Sequence, residues 1–222
     1  PEKYKVEQLY ATSADGTQIP YFQISNRNME KNSMNPTLLY GYGGFQISQT
    51  PSYLGSFARQ WLDSGGVYVI ANIRGGGEFG PIWHQSALKE NRQRAYDDFI
   101  AVAETLISEN ITSSDHLGIR GGSNGGLLVG AVVTQRPELF NAVICAVPLL
   151  DMYRYDKLLA GASWVDEYGD PDNPEECPVM DPNSTSCGLL VQKPNFKLSK
   201  IVPEKEYVVY QGTDFVNLNC TT

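Results

Sequence analysis

Residues 117–126 read Leu-Gly-Ile-Arg-Gly-Gly-Ser-Asn-Gly-Gly, a short strand-like run that leads straight into a serine between two glycine pairs. The pattern around Ser123 is G-x-S-x-G, and it restricts the fold severely. A serine lifted on a tight strand-to-helix turn takes strained backbone angles. The residues two before and two after it must be small so that strand and helix can approach each other. The hydroxyl then projects at the carboxyl end of a sheet, where α/β folds build their sites. The backbone N–H of Asn124 points toward the place where an oxyanion would form, and one such donor is worth ~10²–10³ in rate. A bystander serine in a glycine-rich turn would need neither the apolar strand before it nor the small-residue helix after it.

The rest of the chain supplies the matching pattern. Segments 5–12 and 18–25 read as two strands joined at Asp15-Gly16, and 26–36 as a polar loop ending at Pro36. A short apolar strand at 37–42 runs into Gly43-Gly44. Phe57, Trp61 and Leu62 recur at helical spacing. Segment 67–73 is apolar almost throughout, as in a strand covered on both faces. Ala95, Phe99, Val102, Ala103, Leu106 and Ile107 recur every three or four residues and predict a helix over 85–109. A second helix is expected from about Gly125 to just before Pro137, and a buried strand at 142–147. Strands alternating with helices imply a mostly parallel, doubly wound α/β sheet with right-handed crossovers. Past residue 176 the periodicity dissolves, although 206–210 keeps a strand-like composition. The expected organisation is therefore an α/β domain over 1–176 and a divergent tail over 177–222.

Composition narrows the function classes. With 222 residues, 41% of them hydrophobic and 19% charged, the chain can bury a sizeable core. A net charge of -8 offers no electrostatic reason to bind nucleic acid or an anionic membrane surface. The sequence has no run of about 18 apolar residues of the kind that crosses a bilayer. The first residues lack a signal-peptide core. Cys145 lies in an apolar run and reads as a reduced core cysteine, whereas Cys177, Cys187 and Cys220 all fall in the tail. No metal-ligand spacing appears. Sequons at Asn110, Asn183 and Asn219 carry little weight on their own.

Gly75, Gly77 and Gly80 spell G-x-G-x-x-G after a strand, with Asp97 and Asp98 about 20 residues on, a superficial dinucleotide fingerprint. In that fold the acid ends a second strand, but here it falls inside a helical pattern. The expectation is a tight loop beneath the active-site face, with the two aspartates on the helix surface or in a cap.

The segments LLYGYGGF, ANIRGGGEFG, WHQSALKENRQRAYDDF, GGSNGGLL, QRPELF and ASWVDEYG occur in that order. Together they resemble the catalytic domain of the prolyl oligopeptidase family over residues 5–175. The resemblance implies an α/β-hydrolase fold, here truncated before its last strands and C-terminally incomplete. It implies a serine endopeptidase acting after proline in short peptides, with no cofactor or metal. It assigns Ser123 as nucleophile, with the Asn124 N–H and the Tyr42 phenol as oxyanion donors. Trp164 becomes the floor of a proline pocket lined by Phe45, Leu149 and Tyr168. An indole face suits a rigid apolar ring. The 222 residues are not expected to include the family's β-propeller, and the implied location is the cytoplasm.

A serine hydroxyl needs a general base. Hydrolases of this fold order the triad Ser, Asp, His. The only histidines are His84 and His116, both before Ser123. His116 enters the strand that Ser123 leaves, roughly 20 Å away by strand rise, and reads as a surface residue. Asp214, after a strand-then-turn segment, is the candidate acid, although Phe215-Val216 departs from the family pattern there. A partial gene, a frame shift or splice event near residue 176, or a truncated paralogue would each account for the departure. The chain by itself is expected to be inactive. The competing reading is a non-catalytic fragment or pseudoenzyme that acts, if at all, as a binding module. A lipase or carboxylesterase fits less well, because tyrosine stands where an HGGG-type motif has histidine.

Overall fold

The computed structural model describes residues 3–53, 55–173, 206–211 and 214–218. Within these, the elements are β1 (Tyr4–Thr12), β2 (Gln18–Asn26), β3 (Thr37–Tyr40), α1 (Gly55–Asp63), β4 (Val67–Ala71), α2 (Pro81–Gln85), α3 (Gln93–Ser108), β5 (Leu117–Gly122), α4 (Asn124–Gln135), β6 (Ala142–Ala146), α5 (Val165–Tyr168), β7 (Glu206–Gln211) and β8 (Asp214–Leu218). They form one sheet in the order β1-β2-β4-β3-β5-β6-β7-β8. The pairings from β4 through β7 are parallel, whereas β1–β2, β2–β4 and β7–β8 are antiparallel. The α/β expectation holds, with the early meander at the sheet edge.

β4 lies between β2 and β3 and is buried at every position, which is why its sequence shows no alternation. β5 carries Leu117 and Ile119 inward, and β6 carries Val143 and Cys145. These join α3 and α4 in the larger core with Phe99, Val102, Leu106, Leu127 and Val129. Ile24, Leu38, Tyr68 and Ile70 form a smaller core with Leu62 of α1. Burial pushes the Cys145 thiol up to about 11, in keeping with a reduced core residue.

Two expectations need correction. The helix anticipated over 85–109 begins only at Gln93. Leu88 is extended and Lys89 has φ 47°, so the chain breaks before α3 and Arg92 turns inward at the break. Asp98 is not on the helix surface. It shares the inward face of α3 with Ala95 and Phe99 and is 0% exposed. A buried carboxylate is tolerated there because it is fully partnered. Its Oδ2 accepts from the Arg74 N–H (3.0 Å) and Nε (2.9 Å), and its Oδ1 from Arg74 Nη2 (2.6 Å) and Ser13 Oγ (2.6 Å). Asp97 is half-buried and accepts from the Gln93 amide. At the far edge, the tail contributes β7 and β8, so the sheet runs past the point where the sequence pattern fades. β7 extends the parallel series beside β6, and β8 turns back antiparallel.

Only one residue separates β5 from α4. A Cβ on Gly121 would stand 1.9 Å from the Gly125 carbonyl oxygen, whereas one on Gly118, in the same strand, would have 3.6 Å to its nearest neighbours. Gly121→Ala is therefore expected to lower the urea midpoint far more than Gly118→Ala. Equal midpoints would contradict the close approach. Asp98→Asn removes the buried one of the two carboxylates that pair with Arg74, the other being Asp15 at 2.5 Å from Nη1. It should lower the unfolding midpoint by the worth of a charged hydrogen bond, about 1.5–3 kcal/mol. An unchanged unfolding midpoint would show that this pair does not anchor the loop.

Candidate active site

Ser123 occupies the single residue between β5 and α4, at φ 56° and ψ -118°. The strain is held from both sides. Its N–H donates to the Ala146 carbonyl at 2.9 Å, and its carbonyl accepts from Gly126 N (2.9 Å) and Leu127 N (3.1 Å). The residue is exposed at the carboxyl end of the parallel strands, next to Asn124, which is buried at the start of α4. Asn124 opens the helix, so its N–H has no intrahelical acceptor and stays available beside Ser123.

The loop after β3 provides the second wall. It turns through Gly43 (φ 64°), Phe45 (φ 55°) and Gln46 (φ 56°). The Asn124 side chain donates from Nδ2 to the Tyr42 carbonyl at 2.5 Å, which ties this loop to the start of α4. The edge of the Tyr42 ring faces Gly125, 3.6 Å from where a Cβ would stand. The glycine-rich loop lies against the same turn. Gly75 has φ 92°, and a Cβ there would come within 2.4 Å of the Gly43 carbonyl oxygen. Its own carbonyl accepts from Gln46 N at 3.2 Å. This glycine run buttresses the Tyr42 loop, and its nearby Asp98 is taken by Arg74 and Ser13.

Behind these groups lies a buried polar network that the sequence reading did not anticipate. Asn124, 0% exposed, accepts at Oδ1 from Arg92 Nη2 and from the Tyr168 hydroxyl (2.8 Å). Arg92 Nη1 donates to Glu167 Oε1 at 2.8 Å. The same oxygen accepts the Phe45 N–H at 3.0 Å, and Glu167 Oε2 stands 2.7 Å from His84 Nε2. The Arg92 guanidinium sits 5.0 Å from the centroid of the Tyr168 ring, a cation–π contact. Burial holds the Tyr168 phenol well above its usual range, so it remains a neutral donor. Arg92 and Glu167 are 75 residues apart, and no periodicity or motif links them.

The four residues assigned to a proline pocket differ in placement. Phe45, Leu149 and Trp164 are partly buried and pack on the larger core, leaving part of each side chain accessible. Tyr168 is 2% exposed and lies behind Phe45, with ring centroids 5.7 Å apart and edge-to-face. Asp214 is the first residue of β8, paired with Gln211 at the carboxyl end of β7. Its side chain lies outside the described residues. His84 belongs to the short helix α2 and faces Glu167. His116 is half-buried just before β5, with Nδ1 2.8 Å from Ser113 Oγ, at the opposite end of that strand from Ser123.

A family model described as the prolyl oligopeptidase family matches residues 53–194. A prolyl endopeptidase of Elizabethkingia miricola is 45% identical over 176 residues, 79% of this chain and 25% of the relative. An uncharacterized peptidase of Sinorhizobium fredii is 56% identical over 172 residues, 78% of this chain and 24% of the relative. The chain thus spans about a quarter of the length of the curated relatives it matches. A post-proline cleaving enzyme from Rickettsia typhi superposes with a TM-score of 0.82 at 43% identity, covering 96% of this chain and 34% of that one. With the family model matching well over half of its residues, this chain belongs to the prolyl oligopeptidase family.

Proposed function

We propose that this chain is the catalytic domain of a serine peptidase that cleaves on the carboxyl side of proline in short peptides. The observation that carries the reading is the exposed Ser123, strained on its turn, with the first helix N–H, that of Asn124, which has no intrahelical acceptor, and the Tyr42 loop beside it. In this reading Ser123 Oγ attacks the proline carbonyl. The oxyanion is held by the Asn124 N–H and the Tyr42 hydroxyl, a general base carries the Ser123 proton to the leaving amine as the C–N bond breaks, and water then hydrolyses the acyl-enzyme to release the acid and restore the serine. The proline ring lies on Trp164, between Phe45 and Leu149. Asp214, which follows a strand-then-turn segment, is the candidate triad acid in this reading, and the family resemblance implies a cytoplasmic setting. No helix among the described residues is long and apolar enough to cross a membrane.

The proton of Ser123 needs a base, and neither histidine in the sequence suits the role. His84 is engaged by Glu167, and His116 precedes β5 at its far end. The 222 residues alone should therefore react with a fluorophosphonate probe ~10³-fold or more slower than a peptidase with a complete triad. Labelling at a normal rate, located to Ser123 by peptide mapping, would overturn that expectation. It would also dispose of the alternative reading, a catalytically silent binding module.

Substrate recognition can be tested without turnover. The chain should bind an N-blocked dipeptide ending in proline by isothermal titration calorimetry, and a matched dipeptide ending in glutamate at least ~10-fold more weakly, since the pocket walls are apolar. Trp164→Ala should abolish the preference. Equal affinity for both dipeptides would defeat the proline reading.

A further inference from the structure

The Glu167 carboxylate is 5% exposed and touches three separate segments at once. It accepts the Phe45 N–H directly. It pairs with Arg92, which donates to Asn124 Oδ1, and Asn124 in turn donates to the Tyr42 carbonyl. Both ends of the loop 42–45 are therefore tied to one carboxylate, at Phe45 by one bond and at Tyr42 through two side chains. Glu167 also lies on α5, next to Tyr168 and three residues after Trp164. Charge-assisted hydrogen bonds of this kind are short and strong when desolvated. Burying the pair is costly, and breaking one side of it leaves the other charge unpaired.

We propose that Glu167 is a positioning residue that couples the proline pocket to the oxyanion site, by holding the loop of Tyr42 and Phe45 against the segment of Trp164. The inference rests on the proline-directed reading given above. A ring seated on Trp164 then meets oxyanion donors already in place, and an ill-fitting side chain disturbs both sites together. Arg92 and Asn124 act as the relay. His84 braces the other carboxylate oxygen, which leaves Oε1 facing Phe45 and Arg92.

The test compares two ligands on the whole 222-residue chain. An N-blocked dipeptide ending in proline places a carboxylate between the oxyanion donors, whereas the matched pyrrolidide fills only the ring pocket. The unmodified chain should favour the carboxylate by about tenfold, the worth of a hydrogen bond to a charged group. Glu167→Gln keeps the size and should shrink that ratio to about twofold or less. An unchanged ratio with a lowered melting temperature would make Glu167 merely structural and overturn the proposal while leaving the proline reading intact. Failure of the unmodified chain to bind either ligand would remove both. Should Glu167→Gln not fold, amide hydrogen exchange on the unmodified chain gives an independent readout. Saturating pyrrolidide should slow exchange at the Phe45 amide, and an unaltered rate there would contradict the coupling.

Discussion

Everything at this site depends on how closely β5 approaches α4. One residue makes the turn, and no side chain fits at Gly121 beneath the Gly125 carbonyl. That approach forces Ser123 to φ 56° and lifts its hydroxyl out of the sheet. It also places the first N–H of the helix, which has no intrahelical acceptor, next to the hydroxyl. Neither consequence uses a side chain, since both come from backbone geometry that the glycines allow. The larger core beneath, with Ile119 and Leu127 fully buried on either side of the turn, resists relaxation of the strained residue.

The elbow alone would not define an oxyanion site, because the loop of Tyr42 leaves the sheet from a different strand. Three devices fix it. Gly75 lets the glycine-rich loop rest directly on the backbone of Gly43. The Arg74–Asp98 pair holds that loop to α3. The Asn124 side chain bonds the carbonyl of Tyr42 itself. In the proposed reading Asn124 contributes twice, through its N–H toward the reacting carbonyl and through its amide, which bonds the opposing wall. A buried polar network is stable only when its members are satisfied, and Arg92, Glu167, His84 and Tyr168 do most of that satisfying.

Much of this was legible in the sequence, for identifiable reasons. The G-x-S-x-G turn is dictated locally, so Ser123 and the strand-helix pair around it could be placed by eye. The unbroken apolar run of β4 likewise announced a strand covered on both faces. The break before α3 was not legible, because the helical period continues through a segment whose conformation is set by where Arg92 must point. Asp98 was misplaced for a related reason. Its phase on α3 is that of a core residue, and only the distant Arg74 makes a carboxylate acceptable there. The partnership of Arg92 with Glu167 joins segments that are neighbours only after the crossovers have formed. A sequence pass weighs each of the two as an ordinary charged residue.

The central claim is that Ser123, Asn124, Tyr42 and Trp164 form one site shaped for a proline residue and the carbonyl that follows it. A crystal structure of the chain soaked with an N-blocked dipeptide ending in proline tests it most directly. The account predicts the pyrrolidine ring against the Trp164 indole and one carboxylate oxygen within hydrogen-bonding distance of both the Asn124 N–H and the Tyr42 hydroxyl. A ligand bound elsewhere, or a ring turned away from Trp164 with its carboxylate in solvent, would contradict it.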